Sequence, residues 1–222
     1  MKRISLLFLL FIVCSSYVKA QVATEKTVFD YNETKHELSL DVAQLILGNY
    51  PSDLLYRKHY ISKNGKNVAF RLGAMVNANF GTTENLGGNP NSSENQNVRI
   101  NLYIGKEWQK TIQKKIIGYY GLDFGVGYSE TYLAIDTDDN NTNFAPLNQS
   151  SYGLHVNATG FLGVRYNLSK HFSLSTETAL SAGFNHHIQE NKFAGVSSPN
   201  TVNNNFNFGM MPLRAVRFAF HF

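Results

Sequence analysis

From Val68 onward, almost every apolar run in the chain alternates, an apolar side chain recurring at every second position. Val68, Phe70, Leu72, Ala74, Val76 and Ala78 share one parity, and Arg71, Gly73, Met75, Asn77 and Asn79 the other. The clearest run sets Tyr152, Leu154, Val156, Ala158, Gly160, Leu162, Val164 and Tyr166 against His155, Asn157, Thr159, Gly163 and Arg165. Period two places successive side chains on opposite faces of a strand. Similar runs occupy Val98–Gly105, Gly118–Tyr128 and Phe172–Asn185, and helical periodicity appears nowhere at comparable strength. The expected class is all-β.

The last run is Val216-Arg217-Phe218-Ala219-Phe220-His221-Phe222, with one apolar face and one polar face. An exposed apolar strand edge invites aggregation in water. Against lipid the same pattern is favourable if the strands close into a barrel, because no edge remains and the polar face lines the interior. Two earlier candidates are less regular. Glu37–Leu47 alternates and then becomes apolar on both faces, while Leu54–Ile61 carries Arg57 and His59 on one face but Lys58 among the tyrosines of the other. Lys58 must snorkel toward an interface, or this strand must sit near the rim. Arg214 poses the same problem, which a bulge at Pro212 would solve by re-aiming it.

The connections alternate in length. Ser62–Asn67 is a tight turn built on Asn64-Gly65, and Glu107–Lys115 and Asn167–Lys170 are also short. Phe80–Asn97, Ala134–Ser151 and His187–Asn203 read as long polar loops. The runs exceed the nine to eleven residues a tilted transmembrane strand needs. These features predict an eight-stranded antiparallel up-and-down transmembrane β-barrel, with short periplasmic turns and long extracellular loops. Tyr56, Tyr60, Trp108, Tyr120, Tyr128, Tyr152 and Tyr166 lie near strand ends, as aromatic girdles do.

Residues 1–20 carry the signature of an export signal: Lys2 and Arg3, an apolar run of about ten residues from Ile4 to Val13, and Val18-Lys19-Ala20 before an expected cut at Gln21. Cleavage would remove the only cysteine, Cys14, and leave seventeen basic against sixteen acidic residues. Near-neutrality removes the electrostatic case for nucleic acid, and a cysteine-free chain has no disulfide framework. Residues 21–36 read as a polar periplasmic segment and 37–222 as the barrel domain.

The pattern resembles the small eight-stranded outer-membrane barrels of Gram-negative envelopes, the OmpA/OmpX-like superfamily. The resemblance implies location in the cell outer membrane, contact with outer-membrane lipid, a monomer, and recognition by the barrel-assembly machinery. It also implies that Phe218, Phe220 and Phe222 act as the assembly signal, since the final strand is similar to the C-terminal signal of such barrels.

Strand parity places Arg57, Arg71, Arg99, Arg165 and Arg217 inside with Asp41, Glu107, Asp123 and Glu177. Buried charge is costly unless paired, and an eight-stranded barrel is just wide enough for its side chains to fill. The expectation is therefore a filled lumen held by a structural charge network. The role would be structural or interactive, with an unidentified extracellular ligand contacting the loops; a narrow-pore porin and an outer-membrane lipid-modifying enzyme are the alternatives. No catalytic residue, metal or cofactor is expected. His171-Phe172-Ser173 has the spacing of a His-activated serine, but near a periplasmic turn and without an evident third member. Asp136–Asn140 begins like a calcium loop, yet Asn141 replaces its glycine and Leu147 its bidentate acid. His186, His187 and Glu190 are too few for a zinc site.

Overall fold

The computed structural model describes residues 33–46, 50–85, 91–137, 147–193 and 196–222. The expected export signal, most of the 21–36 segment and Asp138–Asn141 of the calcium-like loop lie outside these residues. The strands are β1 (His36–Asp41), β2 (Asp53–Ile61), β3 (Asn67–Asn85), β4 (Asn91–Gln113), β5 (Ile116–Thr137), β6 (Leu147–Asn167), β7 (Phe172–Phe193), β8 (Val196–Ser197) and β9 (Thr201–His221). One helical turn, α1 (Ala43–Ile46), follows β1.

Every pairing is antiparallel, and β9 lies between β7 and β1, so the sheet closes on itself. β8 only extends the end of β7, leaving eight strands in the wall. Following paired residues from Leu38 through Tyr56, Leu72, Ile104, Phe124, Ala158 and Ala182 arrives at Phe208, although Leu38 itself pairs with Phe220. This offset along β9 is the stagger that closure of tilted strands requires. The Asn64-Gly65 turn forms as expected, with Gly65 at φ 71° and Ser62 N–H donating to the Lys66 carbonyl at 2.8 Å.

Burial runs inside out. Arg57, Arg71, Arg165 and Arg217 are wholly buried, whereas Leu102, Phe124 and Leu162 are more than half exposed. Glycines make the interior packing possible. A Cβ at Gly73 would stand 1.9 Å from the Tyr103 ring, and one at Gly163 would stand 2.4 Å from that of Tyr119. Each ring therefore lies across the neighbouring strand, in space that the missing side chain leaves.

Three sequence expectations are corrected. The first strand ends at Asp41 rather than Leu47, because Asp41 Oδ1 accepts the Ala43 and Val216 N–H groups, each at 3.0 Å, and turns the chain into α1. The three long loops are shorter, since the ladders continue to Asn85↔Asn91, Ile135↔Leu147 and Gln189↔Thr201. The segment Glu107–Lys115 is mostly strand, leaving only Lys114 and Lys115 between β4 and β5.

The bulge expected at Pro212 is present. Glu177 pairs with Ala215 and Ala179 with Met211, so β7 advances two residues while β9 advances four. Proline has no N–H to contribute to a ladder, and the surplus rotates Arg214 inward while Leu213 stays 60% exposed. Lys58 does face outward, opposite Phe70, whose other neighbour is Lys106.

The wall is uneven in height. β1 and β2 have 6 and 9 residues, whereas β3 to β7 and β9 have 19 to 23. Above the Asp53↔Met75 and Asp41↔Arg217 pairs, only those six long strands continue among the described residues. There α1 and residues 50–52 stand in place of strands, and Val76 N–H donates to the Ser52 carbonyl at 2.9 Å.

Candidate functional site: an ion network across the lumen

The alternation that turns apolar residues outward turns charged ones toward one another. Five arginines and five carboxylates meet inside: Arg57, Arg71, Arg165, Arg214 and Arg217 with Glu37, Asp53, Glu107, Asp123 and Glu177. At the tight-turn end, Glu37 takes Arg57, takes Arg165 at 2.7 Å, and bonds His59 Nε2 at 2.9 Å. In the middle, Glu107 accepts from Arg71 at 2.7 Å and Gln109 at 2.6 Å, with Arg57 Nε 3.0 Å away. Glu177 gathers Arg57 at 2.7 Å, both terminal nitrogens of Arg71, and the Tyr119 hydroxyl at 3.3 Å. Toward the open end, Asp123 holds Arg71 and Arg214. Asp53 accepts from Arg217 at 2.5 Å and from Tyr103 at 2.9 Å.

Each of these carboxylates meets at least one guanidinium, the arrangement that offsets the desolvation cost of buried ions. Aromatic faces lie against some of the guanidinium planes, Arg71 lying 3.8 Å from the Phe161 centroid and Arg57 5.3 Å from that of Tyr119. The network crosses from wall to wall, so it is chemically suited to closing the lumen and bracing it.

Of the expected lumen charges, Arg57, Arg71, Glu107, Asp123, Arg165, Glu177 and Arg217 come together. Asp41 and Arg99 do not join them. Asp41 is buried but engaged by backbone N–H groups. Arg99 keeps the inward parity but lies exposed, level with Asn77 and Ser129, where the lumen has opened. Glu37, Asp53, Arg214, His59, Tyr103, Tyr119 and Gln109 were not foreseen as members. Parity marks Glu37, Asp53 and His59 as inward, whereas Arg214 depends on the bulge.

The minor candidates come apart. Ser173 is wholly buried and bonds His221 Nε2 at 2.8 Å, while His171 is exposed and bonds the His221 carbonyl at 3.0 Å. His221 Nδ1 lies 3.9 Å from Glu37, so Ser173, His221 and Glu37 follow the order of a nucleophile, base and acid. All three have 0% exposure, which closes the serine to a substrate. Glu37, His59 and His221 also place ligand-type atoms within 4.8 Å of one another. A divalent cation there would compete with Arg57 and Arg165 for Glu37, which is an unfavourable donor set. His186 and His187 point to opposite faces, bonding Asn204 and Ser151 respectively.

No family model matches this chain, and neither curated proteins nor solved structures contain a significant match to it.

Proposed function

We propose that this chain is a β-barrel of the Gram-negative outer membrane, of the OmpA/OmpX-like kind, whose lumen is closed by its ion network. Its role on this reading is structural or interactive: it braces the envelope and presents the extracellular ends of its long strands to a surface partner. One observation carries the proposal. The wholly buried large side chains are mainly Arg, Glu and His, while a continuous outer face of Leu, Ile, Val and Phe is exposed. A water-soluble protein does not leave apolar surface on that scale uncovered, and lipid is the solvent that such a face suits.

The belt near the tight turns supports the same orientation. Trp108 stacks on Tyr120 at 5.6 Å between centroids, and Lys106 Nζ lies 5.4 Å over the Trp108 ring. Interfacial aromatics with snorkelling lysines form such belts. Phe218 and Phe220 on β9, and Phe222 just past its end, face outward in a ladder with Phe172 and His36, at 5.4–5.9 Å between neighbouring centroids. That ladder is the surface an assembly receptor would read.

A narrow-pore porin needs a continuous water path, which the paired charges oppose. A lipid-modifying enzyme needs a reachable nucleophile, which Ser173 does not offer. Envelope fractionation tests the location: the protein should band with outer membrane on a density gradient and resist extraction by alkaline carbonate. Recovery in the soluble periplasmic fraction would defeat the proposal.

A further inference from the structure

Above the short strands β1 and β2 the wall has a gap. Among the described residues, no strand pairs with the β2-facing edge of β3 above Met75, or with the β1-facing edge of β9 above Arg217. Every residue of Val76–Thr83 and of Thr201–Leu213 is exposed, inward and outward parities alike. Elsewhere on the same rungs the wall is covered. Asn79 is exposed where Ser151 is buried, and Asn205 is exposed where Gly127 is buried. The space above the ion network is lined by Val76 and Ala78 as well as by Asn77 and Asn79, so it touches both faces of β3 and opens sideways through the gap.

Two observations mark these edges for pairing. Both run through the apolar belt: Val76 and Ala78 pair with Ile100 and Val98, and Phe206 and Met210 with Phe184 and Leu180. An open edge at that height leaves backbone N–H and C=O groups facing hydrocarbon, a cost that membrane strands avoid by pairing. Neither edge carries the usual protection. Val76–Thr83 and Thr201–Met211 contain no charged residue and no proline, whereas edges that stay free are blunted by lysine, proline or a covering segment.

Strand direction narrows the occupant. β3 runs away from the tight turns and β9 toward them, so the two edges are antiparallel complements of each other. Within one chain they stand three strand spacings apart, about 14 Å, too far to pair. A two-fold axis along the barrel keeps two copies in one membrane orientation and brings β3 of each to β9 of the other. We propose that the chain forms a dimer in which the two gaps face each other and these edges pair reciprocally, in place of the monomer that the sequence resemblance implies. Each seam offers the whole of Val76–Thr83, against five residue pairs in each ladder that β1 makes. The two sets of six long strands then enclose one shared vestibule. Below it, the exposed Leu38, Leu40 and Leu54 meet their counterparts. The proposal rests on the outer-membrane reading, which supplies the common orientation.

In a Cys14→Ser background, protein carrying Ala78→Cys is folded into phosphatidylcholine vesicles together with protein carrying Phe206→Cys, Phe208→Cys or Met210→Cys, and oxidised. Three β9 positions are used because parity does not fix register. At least one mixture should give a mixed disulfide at several times the yield of like-with-like products, since the bond needs Cα atoms within about 7 Å. Ala78→Pro blocks the seam from the other side. The Val76 N–H points to Ser52, so that of Ala78, two residues on, points into the gap and away from the ladder with β4. Light scattering in detergent should show a dimer for the unmodified protein and a monomer for Ala78→Pro. If that variant folds poorly, the disulfide yields decide alone. Carbonate-resistant protein with no mixed disulfide at any of the three positions would overturn the dimer and leave the outer-membrane reading standing. Disulfides that join only like with like would overturn the reciprocal pairing.

Discussion

Arg71 of β3 reaches across the lumen to Glu177 of β7, its two terminal nitrogens 3.0 and 3.2 Å from the two carboxylate oxygens. In the ring of eight wall strands, β3 and β7 stand four places apart in either direction. This forked pair is therefore a strap across the full diameter, and both residues are wholly buried apart from 1% of Glu177. Bidentate pairing fixes geometry as well as adding energy.

Truncating either end of the strap takes a buried partner from the other, although Glu177 keeps Arg57 and Arg71 keeps Glu107 and Asp123. Arg71→Ala and Glu177→Ala should each destabilise the barrel by about 3–5 kcal/mol. The double variant should cost less than the sum, because the strap interaction is then lost once rather than counted in both single variants. Urea unfolding from lipid vesicles measures both. Additive losses would show that the two groups do not act as a pair.

The same network should keep the lumen closed to ions. Unmodified protein in planar bilayers is expected to show no large steady conductance, and Arg71→Ser with Glu177→Ser should raise open events by removing both halves of the strap. A stable channel from the unmodified protein would move the narrow-pore porin to first place.

Gly163 and Tyr119 test the interior packing. Gly163→Ala places a methyl group in the Tyr119 ring, with 2.4 Å between Cβ and the nearest ring atom, and should cost about 1–3 kcal/mol as overpacking does. Adding Tyr119→Ser should recover part of that loss in the same unfolding assay. A neutral Gly163→Ala would show that the ring has another place to lie.

Phe222 closes the seam between β9 and β1. Its backbone exchanges two hydrogen bonds with His36, at 2.8 and 2.9 Å, and its ring stacks on His36 and Phe220. Phe206 is 75% exposed on the tall part of β9. Phe222→Ala should therefore lower membrane-assembled yield more than Phe206→Ala, read as the heat-modifiable fraction on a gel. Equal yields would reduce Phe222 to one more outward aromatic.

Much of this fold was legible because one rule, period two, ran along most of the wall. It gave the inward set of Arg57, Arg71, Arg165, Glu107, Asp123 and Glu177 without any knowledge of partners. Register was not legible, because parity does not say how far strands slide past one another. Arg165 of β6 and Glu177 of β7 share the inward parity on adjacent strands, yet Arg165 pairs with Glu37 across the lumen and sits in the ladder opposite Ser175. Strand ends were hidden for another reason. Beyond the apolar belt, residues such as Asn95 and Gln96 are polar on both faces, so the alternation stops while the hydrogen-bond ladder continues to Asn91↔Thr137. Glu37 and Asp53 share the inward parity but begin or precede short, irregular runs. The Arg214 turn was readable only because Pro212 marks a break in the ladder.

On the outer-membrane proposal, the apolar face meets lipid while the polar face encloses the lumen. Single cysteines carrying an environment-sensitive fluorophore, placed at Leu102, Leu162 and Leu180 on the outer face and at Asn79 and Asn97 on the inner, test it directly. In vesicles containing brominated phospholipid, the account predicts strong quenching at the three leucine positions and little at the two asparagines. Uniformly weak quenching at all five positions would contradict it, because the outer face would then be in water.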